Sequence, residues 1–427
     1  LVDMYAKCGL ILKAHEMFDK LRVQDVVSWN ALIGGYADHG RGEEALDLFN
    51  QMQHKGIARD AITFVCALKA CGMIGAPNKG RKIHDEITEN GLLKKDFLLA
   101  NALVDMYAKC GEFGKAQQVF TELPIQDSAT WNGLITGYIK HGFYKEALSC
   151  FDKMKQCGIS PDVATFVSCL KVCGSAGIIE KGCEIHAHIL KEGLLEDDHI
   201  IGNVLVDMYA SCGWVQKAEE VFHELPMRNV ISWTALISGY TLYGHGNEAL
   251  RCFRKMKDEG VSPNPVTYIC VLKACGIVGS LEIGEDIYAQ VKKQGLLQKD
   301  VTLGTALVDM YAKCGMLEKA LEIFQQLRGR NVATWTALIA GYVQHGRSQD
   351  ALKWFRQMKE EGLSPDSVTY ICILKACSSV SLEIGEDIDA EVRKQGLLQK
   401  DIVLGNTLVD MYAKCGAIEK AREVFEQ

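Results

Sequence analysis

The nonapeptide Leu1-Val-Asp-Met-Tyr-Ala-Lys-Cys-Gly9 recurs nearly unchanged from Leu103, Leu205, Leu307 and Leu408, at steps of 102, 102, 102 and 101 residues. A fixed period constrains a chain strongly. Each copy is a supersecondary unit that buries its apolar faces against the next copy, so the whole stacks in one dimension. The 427 residues are therefore expected to form one continuous array rather than two or three globular domains. Hydrophobic residues make up 48% of the chain, enough for a core along its full length.

Each period divides into units of 35, 36 and 31 residues. The complete triplets are 26–127, 128–229 and 230–331. The first contains Val26–Asp60, Ala61–Asp96 and Phe97–Asp127. A 35- and a shortened 36-residue unit fill 332–401, with the missing residue near Ser381, and partial 31-residue units occupy 1–25 and 402–427. Every unit carries two helical stripes. Leu103, Met106, Tyr107 and Cys110 fall at i, i+3, i+4 and i+7, and Gly111 follows as a helix stop. Ala116, Val119, Phe120 and Leu123 repeat the pattern before Pro124. Trp29, Leu32, Ile33 and Tyr36, then Ala45, Leu48, Phe49 and Met52, do the same in a 35-residue unit. The expected fold is all-α, an α-solenoid (a right-handed superhelix) of stacked helix-turn-helix pairs. The third residue of the two longer units is always Ser or Thr, as at Ser28, Thr63, Thr130 and Thr165, and is expected to cap the first helix. That would put the fifth residue in the first turn. The 31-residue units have Leu99, Ile201, Leu303 and Leu404 instead, so their helix start must be held otherwise.

Seventeen cysteines, an odd number, recur at fixed places within helical stripes. Cys8, Cys110, Cys212, Cys314 and Cys415 form one series and Cys71, Cys173, Cys275 and Cys377 another. They read as small buried thiols in a reducing compartment rather than as a disulfide framework. The net charge of −7 excludes a generally basic nucleic-acid binder, so any such binding must come from a local surface. No run of about 18 apolar residues is present, and no membrane span is expected. Leu1 lies inside a repeat, so the sequence reads as a fragment whose targeting segment would lie upstream.

The chemistry concentrates at two recurring places. The fifth residue of the 35-residue units is Asn30, Asn132, Thr234 or Thr336, and of the 31-residue units Asn101, Asn203, Thr305 or Asn406. The last residue of the same units is Asp60, Asp127, Asp162, Asn229, Asn264, Asn331 or Asp366. That last residue immediately precedes the next first helix, so the two can share a groove. In the 36-residue units the fifth residue is Val65, Val167, Ile269 or Ile371, always β-branched and apolar. Helix-start and turn preferences explain the polarity of the first two sets. They do not explain restriction to two residue types, or the apolar third class.

This pattern resembles the pentatricopeptide repeat family, in its P-L-S subclass of 35-, 36- and 31-residue units, over the whole chain. Segments that carry the resemblance include Val26-Val-Ser-Trp-Asn-Ala-Leu-Ile33, Gly56-Ile-Ala-Arg-Asp60 and Asn101-Ala-Leu-Val-Asp-Met-Tyr-Ala-Lys-Cys-Gly111. The resemblance implies single-stranded RNA binding with one base per repeat. In the family, Asn at the fifth place goes with pyrimidines and Thr with purines. Uracil and guanine offer a ring N–H that Asp accepts, whereas cytosine and adenine offer a lone pair that Asn meets as a donor. On that basis Asn30/Asp60, Asn101/Asp127 and Asn132/Asp162 imply U. Asn203/Asn229 implies C, Thr234/Asn264 and Thr305/Asn331 imply A, Thr336/Asp366 implies G, and Asn406 implies a pyrimidine. With N for each 36-residue unit the implied target is 5′-UNUUNCANAGNY.

The family's second residue wedges between bases. Here it is Val27, Leu98, Ile200, Ile231 and Val403, with the smaller Ala129, Thr302 and Ala333 elsewhere. A thirteenth-residue row in the 31-residue units, Lys7, Lys109, Lys313 and Lys414 with Ser211 as the exception, is placed to follow phosphates. A second row, Lys69, Lys171, Lys273 and Lys375, reads as ordinary surface. The resemblance further implies a plant organellar factor, mitochondrial or chloroplast, that targets C-to-U editing or transcript processing. A deaminase would then lie in missing C-terminal sequence or on a partner, and small editing-cofactor proteins would dock at the 36-residue units. His84-Asp-Glu86 matches half of a zinc-deaminase motif, but no C-x-x-C occurs, so neither an enzyme nor a metal or cofactor is expected in this chain. The alternative is a tetratricopeptide-like protein scaffold, since Trp29-x-x-Leu32-x-x-x-Tyr36 fits that pattern apart from Ile33 in place of Gly.

Overall fold

The computed structural model describes residues 1–93, 96–123, 126–197 and 199–426, with Glu196 and Asp197 placed by backbone alone. Pro124, expected to end a second helix, Asp198, expected to close a 36-residue unit, and Gln427 lie outside the described residues. The described residues fold into helices, with no strand among them. Two compact halves, Leu1–Met208 and Tyr209–Gln427, divide the chain.

In the first half the first helices of successive units are Val2–Lys7, Val26–Asp38, Ala61–Ile74, Phe97–Lys109, Ser128–Lys140 and Val163–Ala176, and the division falls within His199–Ser211. In the second half they are Val230–Leu242, Pro265–Val278, Val301–Lys313, Val332–Gln344, Ser367–Val380 and Ile402–Lys414. A second helix follows each, such as Gly42–His54 or Leu281–Lys293. Within each half a first helix packs on the next first helix, and second helices pack on their own first helix and the one after. This is the α-solenoid arrangement. Two short elements, Leu194–Asp197 and the 3-10 turn Leu296–Gln298, end 36-residue units and were not anticipated.

The helix starts correct one expectation. The N-cap is not the third-residue Ser or Thr but the Asp or Asn that precedes the helix. The side chains of Asp60, Asp162 and Asn264 accept the backbone N–H of Thr63, Thr165 and Thr267, each at 2.8 Å. Those threonines stand at N3, where their hydroxyls complete capping boxes. The fifth residue therefore lies in the second turn, not the first. The 31-residue units start the same way: Asp96, Asp300 and Asp401 accept from the amides of Leu98, Thr302 and Val403.

Contacts between neighbouring units recur once per period. The Phe ending a 31-residue unit's second helix meets the next Trp edge-on, with centroids 4.8 Å apart for Phe18–Trp29, 4.7 Å for Phe120–Trp131, 4.5 Å for Phe222–Trp233 and 4.6 Å for Phe324–Trp335. Two glycine sites depend on close approach. A Cβ on Gly341 would sit 2.3 Å from the Ala312 Cβ, so these first helices cross without side chain between them. Gly111, at φ +79°, ends its helix left-handed, and the His141 ring packs beside it. His141 Nε2 also lies 3.0 Å from the Lys109 carbonyl, satisfying the end of that helix. His39, Tyr243 and His345 make the equivalent contact to Ala6, Ser211 and Ala312.

No disulfide joins the cysteines among the described residues. Cys71, Cys275 and Cys377 are buried, and burial pushes each thiol up to about 12. The helix-end series departs from the expected burial: Cys110, Cys212, Cys314 and Cys415 are half-buried and Cys8 is exposed. A helix terminus at the rim cannot be enclosed as its middle is. No helix among the described residues is long and apolar enough to cross a membrane.

Candidate nucleic-acid interface

Because first helices stack on first helices, the fifth residue of one unit faces the cap of the next. Asn30 Nδ2 donates to Asp60 Oδ1 at 2.9 Å, and Asn30 Oδ1 accepts from the Thr63 hydroxyl at 2.6 Å. Asp60 Oδ1 is also the atom that takes the Thr63 amide and hydroxyl, both at 2.8 Å. The Asn101–Asp127–Thr130 and Asn132–Asp162–Thr165 sets repeat this closed arrangement, with amide-to-carboxylate distances of 3.0–3.2 Å. Burial pushes the Asp60, Asp127 and Asp162 carboxyls up. The hydrogen bonds from Thr and Asn more than offset it, leaving all three below their ordinary value.

The Thr units are linked one step less directly. Thr234 Oγ1 donates to the Val230 carbonyl at 2.6 Å and lies 2.7 Å from Thr267 Oγ1, which in turn reaches Asn264 Oδ1 at 3.0 Å. Thr305–Thr334–Asn331 and Thr336–Thr369–Asp366 are equivalent. In each case the cap spends Oδ1 on the helix start. Asn264 Nδ2, Asn331 Nδ2 and Asp366 Oδ2 have no hydrogen-bond partner among the described residues. Asn203 is buried in the first half, Asn229 caps its own helix through Ile231 and Ser232 in the second, and Asn406 is exposed.

Around these pairs the first helices form a concavity of about 500 Å³ in the first half, lined among others by Val65, Lys69, Leu98, Asn101, Asn132 and Asp162. Val167, Ile269 and Ile371, like Val65, are half-buried. The second-residue row stands out from the surface: Val27, Leu98, Ile200, Ile231 and Val403 are exposed apolar side chains. Sequence reasoning missed three members, Ile62, Val266 and Val368, which are equally exposed. They occupy the second place of 36-residue units, and counting that place in every unit finds them.

The four candidate phosphate lysines carry a partner that the spacing also encodes. Lys7 pairs with Asp3 at 2.8 Å, and Lys109, Lys313 and Lys414 pair with Asp105, Asp309 and Asp410 at 2.7 Å, all one turn back on the same helix. The half-motif at His84 is structural: its Nδ1 lies 2.9 Å from the Tyr107 hydroxyl, and Glu86 is held by Arg59 at 2.8 Å. No group of three His, Cys, Asp or Glu among the described residues could hold a metal.

Family models described as the PPR repeat family match residues 24–73, 126–175, 228–276 and 330–379, and models described as the PPR repeat match 1–26, 99–124, 203–230, 305–332 and 406–427. Both are repeat models rather than enzyme models. The chain is 38% identical over 90% of its length to the chloroplastic pentatricopeptide repeat-containing protein At4g18520 of Arabidopsis thaliana. It is 34% identical over its whole length to the mitochondrial protein At2g03380 of the same plant. It spans 62% of each of these relatives. The organelles expected above are the ones their names give. Among solved structures, the pentatricopeptide repeat protein PPR10 in complex with an 18-nt psaJ RNA element matches 100% of this chain and 62% of its own at a TM-score of 0.64 and 21% identity, a likeness of fold.

Proposed function

Because this chain belongs to the pentatricopeptide repeat family, we propose that it binds single-stranded RNA in a sequence-specific manner, reading one base with each 35- and 31-residue unit. The units assigned above, 26–127, 128–229, 230–331 and 332–401 with partial units at 1–25 and 402–427, are those of the P-L-S subclass in this reading. The target is 5′-UNUUNCANAGNY.

The observation that carries the reading is the division of labour within each cap. Oδ1 of the last residue is fixed by the helix start, while the second atom has no hydrogen-bond partner among the described residues in Asn264, Asn331 and Asp366 and is shared with the fifth-residue amide in Asp127 and Asp162. Asp presents an acceptor there and Asn a donor, which is the distinction between U or G and C or A. The fifth residue bridges neighbouring first helices and sets the width left for the base, larger beside Thr than beside Asn. The exposed row Val27, Leu98, Ile200, Ile231 and Val403 supplies apolar surface for stacking between bases. Lys7, Lys109, Lys313 and Lys414 would meet phosphates only by exchanging an aspartate for them.

In the whole protein this array is the targeting portion of an organellar C-to-U editing or transcript-processing factor. The deaminase acts from further sequence or in trans, and editing-cofactor proteins contact the 36-residue units. The test is a binding titration of the chain with the 12-nucleotide target and its single-base variants, for the parent and Asn264→Asp. The variant is expected to change its preference at the seventh base from A to G. An unaltered preference in a folded variant sinks the base assignment, and crosslinking to protein rather than RNA would favour the scaffold alternative.

A further inference from the structure

An apolar fifth residue cannot hydrogen-bond a base, which leaves the 36-residue units without a task in base reading. The RNA backbone is left to lysines already paired with aspartate. We propose that Lys273 and Lys375, on the two 36-residue units of the second half, are the principal phosphate contacts of that half. These units then hold the strand where they do not read it. The proposal rests on the RNA-binding reading above.

Each of these lysines lies four residues after the fifth residue of its unit, Ile269 or Ile371, and so on the same face of its first helix, one turn on. Their counterpart Lys69 lines the first-half concavity together with Asn101, Asn132 and Asp162, which shows the direction of that face. The surroundings differ between halves. Lys69 is ion-paired with Asp38, and the carboxyl of Asp207, held above its ordinary value by desolvation, is partly drawn back by Lys171. The place of Asp38 is taken by Leu242 and Gln344 in the second half. Lys273 and Lys375 are exposed, and neither enters an ion pair among the described residues. Lys313 and Lys414, by contrast, sit 2.7 Å from Asp309 and Asp410.

Binding to a polyanion is driven by release of the counterions that a cation displaces. A lysine with a carboxylate against it must first give up that partner, and its aspartate then repels the same phosphate. An unpaired ammonium incurs neither cost. Lys273 and Lys375 are one period apart, a spacing of three nucleotides at one per unit. They bracket the bases assigned to Thr305 and Thr336.

The experiment measures log Kd against log salt concentration for the full chain with the 12-nucleotide target and a scrambled RNA of equal length. Lys273→Ala/Lys375→Ala is expected to reduce the slope by about 1.4, which is about 0.7 for each phosphate of a single strand that is no longer neutralised. It is expected to weaken both RNAs by the same factor. Lys313→Ala/Lys414→Ala should reduce the slope by less than half as much, and Lys273→Arg/Lys375→Arg should preserve it. Circular dichroism melts check that the variants fold. The proposal is overturned if the parent binds its target and the first double variant keeps the parental slope, or if the second shows the larger change. A parent chain that binds neither RNA overturns the RNA-binding reading itself.

Discussion

Asn264 divides its side chain between two atoms: Oδ1 holds the start of Pro265–Val278, and Nδ2 is the atom that meets a base in the reading proposed above. The two tasks separate by substitution. Asn264→Asp keeps an equally good cap and should change stability by less than about 0.5 kcal/mol, whereas Asn264→Ala loses the cap and should cost about 1 kcal/mol, both by urea unfolding. A comparable loss in both variants would mean that the amide group, not the cap, holds the helix. At this scale the sequence was partly legible. Restriction to Asn or Thr at the fifth place and Asp or Asn at the last pointed to residues the structure does bring together, as in Asn30 and Asp60. The cap was misplaced by three residues because D-x-x-T contains two good cap formers. Only the geometry decides that Asp60 is the N-cap and Thr63 its partner at N3. The aspartates beside Lys109 and Lys313 were readable from i,i+4 spacing and were overlooked.

Between elements, tight crossings set the stacking. Gly341→Ala would bring a methyl within 2.3 Å of the Ala312 Cβ, forcing Val301–Lys313 and Val332–Gln344 apart. A loss of about 1–3 kcal/mol is expected from overpacking. Trp335→Ala, which empties a fully buried site against Phe324, should cost about 3–5 kcal/mol. Thermal unfolding of both variants checks this, and a Gly341→Ala protein as stable as the parent would show that the crossing can open without penalty. The paired helices of each unit were legible, because stripes such as Leu103, Met106 and Tyr107 admit no other period. Leu194–Asp197 and Leu296–Gln298 were not, since three or four residues are too few to show periodicity.

Over the whole chain the caps are distributed unevenly. The first half begins its longer units' helices on Asp25, Asp60, Asp127 and Asp162, and the second on Asn229, Asn264, Asn331 and Asp366. Asp25, Asp60, Asp127 and Asp162 all titrate below their ordinary value when folded. The stability they contribute is complete above the unfolded carboxylate range, near about pH 4. It is lost as pH falls through the folded values. Asp60→Asn/Asp127→Asn/Asp162→Asn should therefore match the parent near pH 6 and unfold at higher urea than the parent near pH 3. Identical acid sensitivity of the two proteins would remove the caps as its source. The exchange of Asp for Asn along this chain has a wider consequence. Since either residue closes the helix equally well, the proposed code would let one substitution rewrite a letter of the message recognised while the scaffold stays intact. A new fifth residue, by contrast, must rebuild a bridge between neighbouring helices. Retargeting of such an array, in the laboratory or in nature, should proceed through its caps first.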